Sequence, residues 1–234
     1  LICQLRGEAA THQPTPLSFL VFDYKKDFRD DAFLERVGGR VHLPYNIPLN
    51  VLALNGRTPW QRAKSFTDIL NKIYGSIGPV QKDRLAQVIM NRFASGNEPL
   101  LADVLEDYLD AADGRPDSVT SILGNFVHGQ VFSNDRSELK TFDELMADNV
   151  LVIALAELGT DQDSKNAIVA LFLDLYYEYM LERTKWPYQG NDPQLRRLNS
   201  YLLIDEASNI MKYNFAALQE ILVQGREFGV GVIL

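Results

Sequence analysis

Tyr201-Leu202-Leu203-Ile204-Asp205-Glu206-Ala207-Ser208 sets a run of apolar residues directly ahead of two adjacent carboxylates. A short continuous apolar run is the pattern of a strand buried on both faces, as in parallel sheets sandwiched by helices. Phe19–Tyr24, Val150–Leu155 and Gly229–Leu234 have the same character, and Arg40–Leu43 is a weaker fifth run. Helical patterns separate them: Pro59–Tyr74, opened by a proline suited to a first turn, then Val80–Ala94, Ala102–Ala112, Ser118–Val131, a long helix from Gln162, and Phe215–Gln224. Strands alternating with helices predict an α/β fold built on a doubly wound, mainly parallel sheet.

The stretch Arg57–Val131 carries four helical patterns and no clear strand, so it reads as a helical insertion. The predicted division is residues 1–56 as the first part of the core, 57–140 as the insertion, and 141–234 as the second part with the Tyr201–Asp205 strand. Trp186–Pro193 is rich in turn formers and is predicted to be a surface loop. In the long helix, Ile168, Phe172, Leu175 and Tyr179 fall on one face. Tyr176, Tyr177 and Tyr179 there read either as a base-stacking platform or as packing, and packing is the expectation.

The 234 residues are 46% apolar and 23% charged, which excludes a disordered or collagen-like chain. Cys3 is the single cysteine, so neither an internal disulfide nor a cysteine zinc cluster is possible; a reducing, cytoplasmic location is expected. No leader-like segment opens the sequence and no apolar run reaches about 18 residues. With 23 basic against 31 acidic side chains the formal charge is −8, which excludes a generally cationic nucleic-acid coat. Any DNA contact has to be local. Arg57, Arg62, Lys64, Lys72, Lys82, Arg84 and Arg92 face only Asp68 and Asp83 in their segment, so this run either touches phosphates or forms solvated helix faces. Asp103–Asp117 is acidic and should point outward or toward a basic partner.

Chemistry concentrates where the Tyr201 strand leaves the sheet, because open α/β sheets bind ligands at the carboxyl ends of their strands. In a nucleotide hydrolase the first acid of such a pair holds magnesium, usually through water, and the second orients or deprotonates the attacking water. Asp205 and Glu206 fit those roles in that order. They equally fit acids that merely cap the next helix. Asp23, after the Phe19 strand, is a candidate for the same edge or the start of a polar turn in which Lys25, Lys26 and Asp27 are mostly solvated. Arg226 precedes the last strand, where it either reaches a phosphate on a neighbouring subunit or complements a helix C-terminus. His12, His42 and His128 are widely separated and form no metal motif, and no Gly-x-Ser-x-Gly elbow occurs.

The order Phe19–Phe28, Pro44-Tyr45-Asn46-Ile47-Pro48-Leu49-Asn50, Tyr201–Ser208 and Gly225–Leu234 resembles the HerA/FtsK superfamily of P-loop ATPases. Within it, Asp23-Tyr24-Lys25-Lys26-Asp27-Phe28 and the Gln81-Lys82 helix look most like the DptH type of phosphorothioation-dependent restriction. The resemblance implies a RecA-like fold and the motor domain of an ATP-hydrolysing DNA translocase, commonly hexameric, using ATP and Mg. Double-stranded DNA and other restriction or nuclease subunits are its implied partners. It matches Asp205 and Glu206 to the Walker B pair, with Glu206 catalytic and Asp205 on the metal, and Arg226 to a basic position contacting nucleotide in trans. A conjugative DNA-transfer ATPase and a non-hydrolysing assembly module are the alternatives. One departure is clear: no Gly-x-x-x-x-Gly-Lys-Ser/Thr occurs, although that loop holds the phosphates. With Leu1 at its start and a strand pattern at its end, the sequence is expected to be a fragment that begins after the phosphate loop and is inactive alone.

Overall fold

Four short apolar runs and the mixed run Gly39–His42 pair into a single all-parallel sheet: β1 (Ser18–Phe22), β2 (Gly39–His42), β3 (Val150–Ile153), β4 (Ser200–Ile204) and β5 (Val230–Ile233). The order across it is β2-β3-β1-β4-β5, which puts β1 at the centre. In this computed structural model, which describes residues 1–13, 15–146, 150–191 and 196–234, the chain divides into two units. The first comprises Leu1–Leu43, Thr141–Gly159 and Tyr176–Leu234 and contains the whole sheet. The second comprises Pro44–Lys140 and Thr160–Leu175.

In the first unit, Phe19, Val21, Val150 and Val152 share a core with Ile2 and Leu5 of α1 (Ile2–His12) and with Phe33 and Leu34 of α2 (Asp31–Val37). The alternate residues Leu20, Phe22, Leu151 and Ile153 are just as inaccessible, so the central strands are covered on both faces. That is why these strands read as unbroken apolar runs. The weaker run is the edge strand β2, whose residues are all half-buried. At the other edge Gly231 lies beneath the Tyr201 ring, itself stacked on Phe19 at 5.3 Å, and leaves no room for a Cβ there.

The second unit is helical: α3 (Pro59–Tyr74), α4 (Pro79–Ala94), α5 (Leu101–Ala111) and α6 (Ser118–His128) pack each on the next. Thr58 and Gln61 form a capping box ahead of Pro59, and Gly75 ends α3 in the left-handed region at φ 62°. A parallel bridge between Ile47 and Phe132 is an extended pairing that the sequence pattern did not reveal. Asp174 is buried and accepts from Arg57 at 3.1 and 3.2 Å, Arg62 at 2.8 Å and Ser65 at 2.8 Å. Two guanidinium groups converging on one carboxylate compensate charge that would otherwise be costly to bury.

The same unit resolves both charge runs. Lys64 and Lys82 pair with Asp68, Arg92 pairs with Asp103 at 3.1 Å and Asp107 at 3.5 Å, and Arg84 stacks over Tyr108 at 5.7 Å. With Arg57 and Arg62 on Asp174, most of the basic run is spent on acids of its own unit rather than forming freely solvated faces. The acidic run finds its basic partner in α4 and in Arg136, which reaches Asp103 at 2.8 Å.

The long helix α8 runs Gln162–Leu181. Ile168, Phe172, Leu175 and Tyr176 are buried as packing residues, whereas Tyr179 is half-buried. Of the expected surface loop, Trp186 is half-buried and 187–191 are exposed; Asp192 and Pro193 lie outside the described residues. Among the described residues no helix is long and apolar enough to cross a membrane.

Candidate functional site

Parallel pairing carries two acids to one edge of the sheet. Phe22 lies opposite Ile153 on one side and Ile204 on the other. The next residue of each ladder continues the pattern: Asp23 N–H donates to Ile153 O at 3.0 Å, and Asp205 N–H donates to Phe22 O at 3.2 Å. Asp23 and Asp205 therefore leave neighbouring strands at the same carboxyl edge, where α/β sheets place their ligands.

Neither Asp205 nor Glu206 caps the helix that follows. α9 (Ser208–Met211) has Ala207 at its N-cap position and no side-chain cap. Asp205 instead has a buried Oδ2 without a hydrogen-bond partner, and burial, followed by the charges of Glu206 and Asp27, raises its pKa against the opposing hydrogen bond from Glu206 N–H. Glu206 has φ 54°, a left-handed conformation that a residue with a Cβ adopts at a cost. Such strain gathers at functional sites. Its carboxylate pairs with the Lys25 ammonium. Tyr24 lies beside the pair, and burial, with Tyr213 and Asp205 nearby, pushes its phenol well above the ordinary range.

Asp23 is used differently. Its carboxylate is inaccessible; Oδ1 accepts the backbone N–H groups of Lys25, Lys26 and Asp27 at 3.2, 2.7 and 3.1 Å, and Oδ2 accepts Arg29 Nε at 2.9 Å. Both oxygens are committed to shaping the turn after β1. Lys25, Lys26 and Asp27 are exposed, as expected for that turn. Arg29 also pairs with Glu157, which receives Lys26 at 3.2 Å as well; Arg29 and then Lys26 hold that carboxyl below its usual range.

Arg29 and Glu157 thus join the edge without having been singled out in the sequence, and Lys25, expected only to be solvated, pairs with Glu206 there. The signal for Glu157 was its position just beyond Val150–Leu155, in the 3-10 turn Leu155–Leu158 that follows β3. Lys25 carried no local signal, because its partner is distant in sequence.

Arg226 lies at the opposite edge. It is exposed in the 3-10 turn Gly225–Phe228 that leads into β5, and β5 starts level with Ser200, the first residue of β4. The five residues of β4, at about 3.3 Å each, separate that level from Asp205. The structure gathers Asp23, Asp205 and Glu206 at one edge and keeps Arg226 apart from them.

No known protein family and no curated protein matches this sequence. Among solved structures, VirB4 of Thermoanaerobacter pseudethanolicus is similar with a TM-score of 0.71 over 98% of this chain and 90% of that one, at 12% identity. At that identity the likeness is one of fold: a mixed α/β, RecA-like arrangement with a five-stranded parallel sheet flanked by helices.

Proposed function

We propose that this chain is the greater part of the motor core of an ATP-hydrolysing DNA translocase of the HerA/FtsK superfamily. The observation that carries the reading is the Asp205–Glu206 pair, two acids at the carboxyl edge of an interior parallel strand, free of any capping duty, the second in strained backbone. Glu206 orients and deprotonates the attacking water, and Asp205 would hold the magnesium ion, which would supply charge neutralisation at the phosphates. The unpartnered Oδ2 of Asp205 fits the hydration shell of a cation. Among the described residues no group of three or more His, Cys, Asp or Glu side chains is arranged to hold a metal alone, so a magnesium ion here would depend on ligands from outside the chain as well as on Asp205.

Asp23 serves the site's edge by shaping the loop that carries Lys25. Arg226, on the far side of the sheet, serves a neighbouring subunit's nucleotide in a homo-oligomer, with a hexamer as the expected form. The division into core (1–56 and 141–234) and helical insertion (57–140) belongs to the same proposal, as do ATP as the nucleotide and double-stranded DNA as the cargo. Both settings that the sequence raises, conjugative DNA transfer and phosphorothioation-dependent restriction with its nuclease partners, belong to this proposal, because the likeness to VirB4 is one of fold.

The test uses a full-length protein that carries this chain together with a phosphate-binding loop. Glu206→Gln is expected to keep ATP binding and lose turnover by about 10²-fold or more. Unchanged hydrolysis removes Glu206 from the chemistry. Absence of hydrolysis in the unmutated full-length protein favours an assembly module instead.

A further inference from the structure

The amino-terminal edge of the sheet, away from Asp205 and Glu206, carries a concentration of cations over aromatic rings. Arg183 lies 4.2 Å from the Tyr179 ring, Arg197 4.8 Å from Trp186, Arg196 3.9 Å from Tyr188, and the Lys185 ammonium 5.2 Å from Phe228. A cavity of about 520 Å³ opens beside them, lined by Tyr179, Arg183, Trp186, Arg197 and Phe228 and floored by Ser18, Ser200 and Val230, where β1, β4 and β5 begin; Lys185, Tyr188 and Arg196 stand outside this lining. That volume lies within the range of small-ligand sites, about 300–1,000 Å³.

The lining is rich in donors. Arg183 has Asp143 as its partner and Lys185 has Glu227 at 2.6 Å, whereas Arg197 donates to the neutral hydroxyl of Thr15 at 2.6 Å. Trp186 Nε1, Arg196 Nε and Arg197 Nε are buried with no acceptor among the described residues. Arginine and tryptophan side chains donate and never accept, so a matching ligand must bring acceptors. Glu227 is held below its usual range by Lys185 first, with Arg196 and Arg226 acting in the same direction, so these three cations share one neighbourhood. In a chain of net charge −8 this is a local reversal of sign. Most of the basic run of the helical unit is already engaged by Asp68, Asp103, Asp107 and Asp174.

We propose that this pocket binds a single-stranded segment of nucleic acid, with a base packed beside Trp186 and the flanking phosphates on Arg196 and Arg197. Stacking is sequence-tolerant, and guanidinium groups both pair with phosphate and lie flat on rings. A duplex keeps its base faces covered, and an acidic peptide would leave the rings unused. The inference rests on the DNA reading above for its substrate class and sharpens it to an unpaired strand, at a site independent of ATP hydrolysis.

The test is fluorescence anisotropy on this chain without nucleotide, using a labelled 20-mer of thymidine, the matching duplex and thymidine monophosphate as competitor. The expected result is tighter binding of the single strand than of the duplex, with weak competition by the mononucleotide. Arg196→Gln/Arg197→Gln should weaken binding about tenfold or more and flatten its salt dependence. Should that variant unfold, Trp186→Leu is read instead, with a similar loss expected. Equal or tighter duplex binding, competition by the mononucleotide at equal affinity, or unchanged affinity in the folded variant overturns the proposal. Glu206→Gln should bind the strand like the parent, so failure of the hydrolysis reading and failure of this one are separable.

Discussion

The Lys25 ammonium pairs with the Glu206 carboxylate across the ends of two neighbouring strands, joining the turn that Asp23 builds after β1 to the strained residue after β4. The contact sits at the surface, with the lysine side chain 58% and the glutamate side chain 36% exposed. It raises the Lys25 pKa through the Glu206 hydrogen bond and charge. Whatever stability the pair contributes is therefore present below the ordinary lysine pKa and lost as pH climbs through the raised one. Lys25→Met should leave the unfolding midpoint at neutral pH nearly unchanged, and added salt should erase any residual difference. In the full-length protein the same variant should raise ATP turnover without altering ATP affinity, because Glu206 is released to engage water. Steady-state hydrolysis alongside nucleotide binding checks this, and slower turnover would count against Glu206 as the water-positioning group.

Glu206 is held at φ 54°, so glycine at this position should cost the fold nothing. Left-handed backbone penalises a Cβ by about 1–2 kcal/mol, whereas glycine adds roughly 0.5–1 kcal/mol of chain entropy to lose. Glu206→Gly is expected to gain about 0.5 kcal/mol in urea unfolding, and Glu206→Val, whose branched Cβ is less tolerated at positive φ, to lose stability relative to the parent. A loss on Glu206→Gly would mean that the carboxylate, not the backbone, dominates there.

Burial raises the Asp205 pKa, so this carboxyl costs the folded state stability once it ionises. Below the unfolded pKa both states are protonated and the cost vanishes; it is complete above the raised folded value. Asp205→Asn should therefore raise Tm at pH 7 by about 2 °C, with the advantage fading as pH falls through the carboxylate range. Thermal melts at pH 7 and pH 3 provide the comparison. A cation bound at Asp205 would offset the same cost, so magnesium with nucleotide should narrow the gap in the full-length protein.

Asp23→Ala should lose about 3 kcal/mol in urea unfolding, because it leaves three backbone N–H groups and the Arg29 guanidinium without their acceptor. Asp23→Asn keeps an oxygen for the amides and forfeits the charge on Arg29, so about half that loss is expected. Equal losses for the two variants would assign the whole effect to the ion pair.

The strands were legible because both faces of a central parallel strand are apolar, so Phe19–Phe22, Val150–Ile153 and Tyr201–Ile204 stand out whatever surrounds them. The start of α3 was legible because Pro59 acts within its own turn, and the Thr58–Gln61 capping box and Gly75 bound the same helix in the structure. Gly39–His42 was fainter because an edge strand needs less burial. Asp205-Glu206 could be placed at a strand end, but whether the acids cap a helix depends on where α9 starts, and that is settled by how Ala207 and Ser208 turn.

By itself the sequence determined the four apolar strands and the fainter β2, the helices α3 to α6 and α8, their order along the chain and the acid pair at the end of one strand, since each of these depends on neighbours a few residues apart. Helix α2 and the Ile47–Phe132 bridge were not read from it. Tertiary structure alone decided that Lys25 meets Glu206, that α4 and α5 neutralise each other, and that Arg226 stands at the far edge. Those relations reach from about ten positions to well over a hundred, whereas the turn that consumes Asp23 is local. Charge and hydrogen-bond pairing depend on distance in space, which follows from the strand order β2-β3-β1-β4-β5 and from no local pattern.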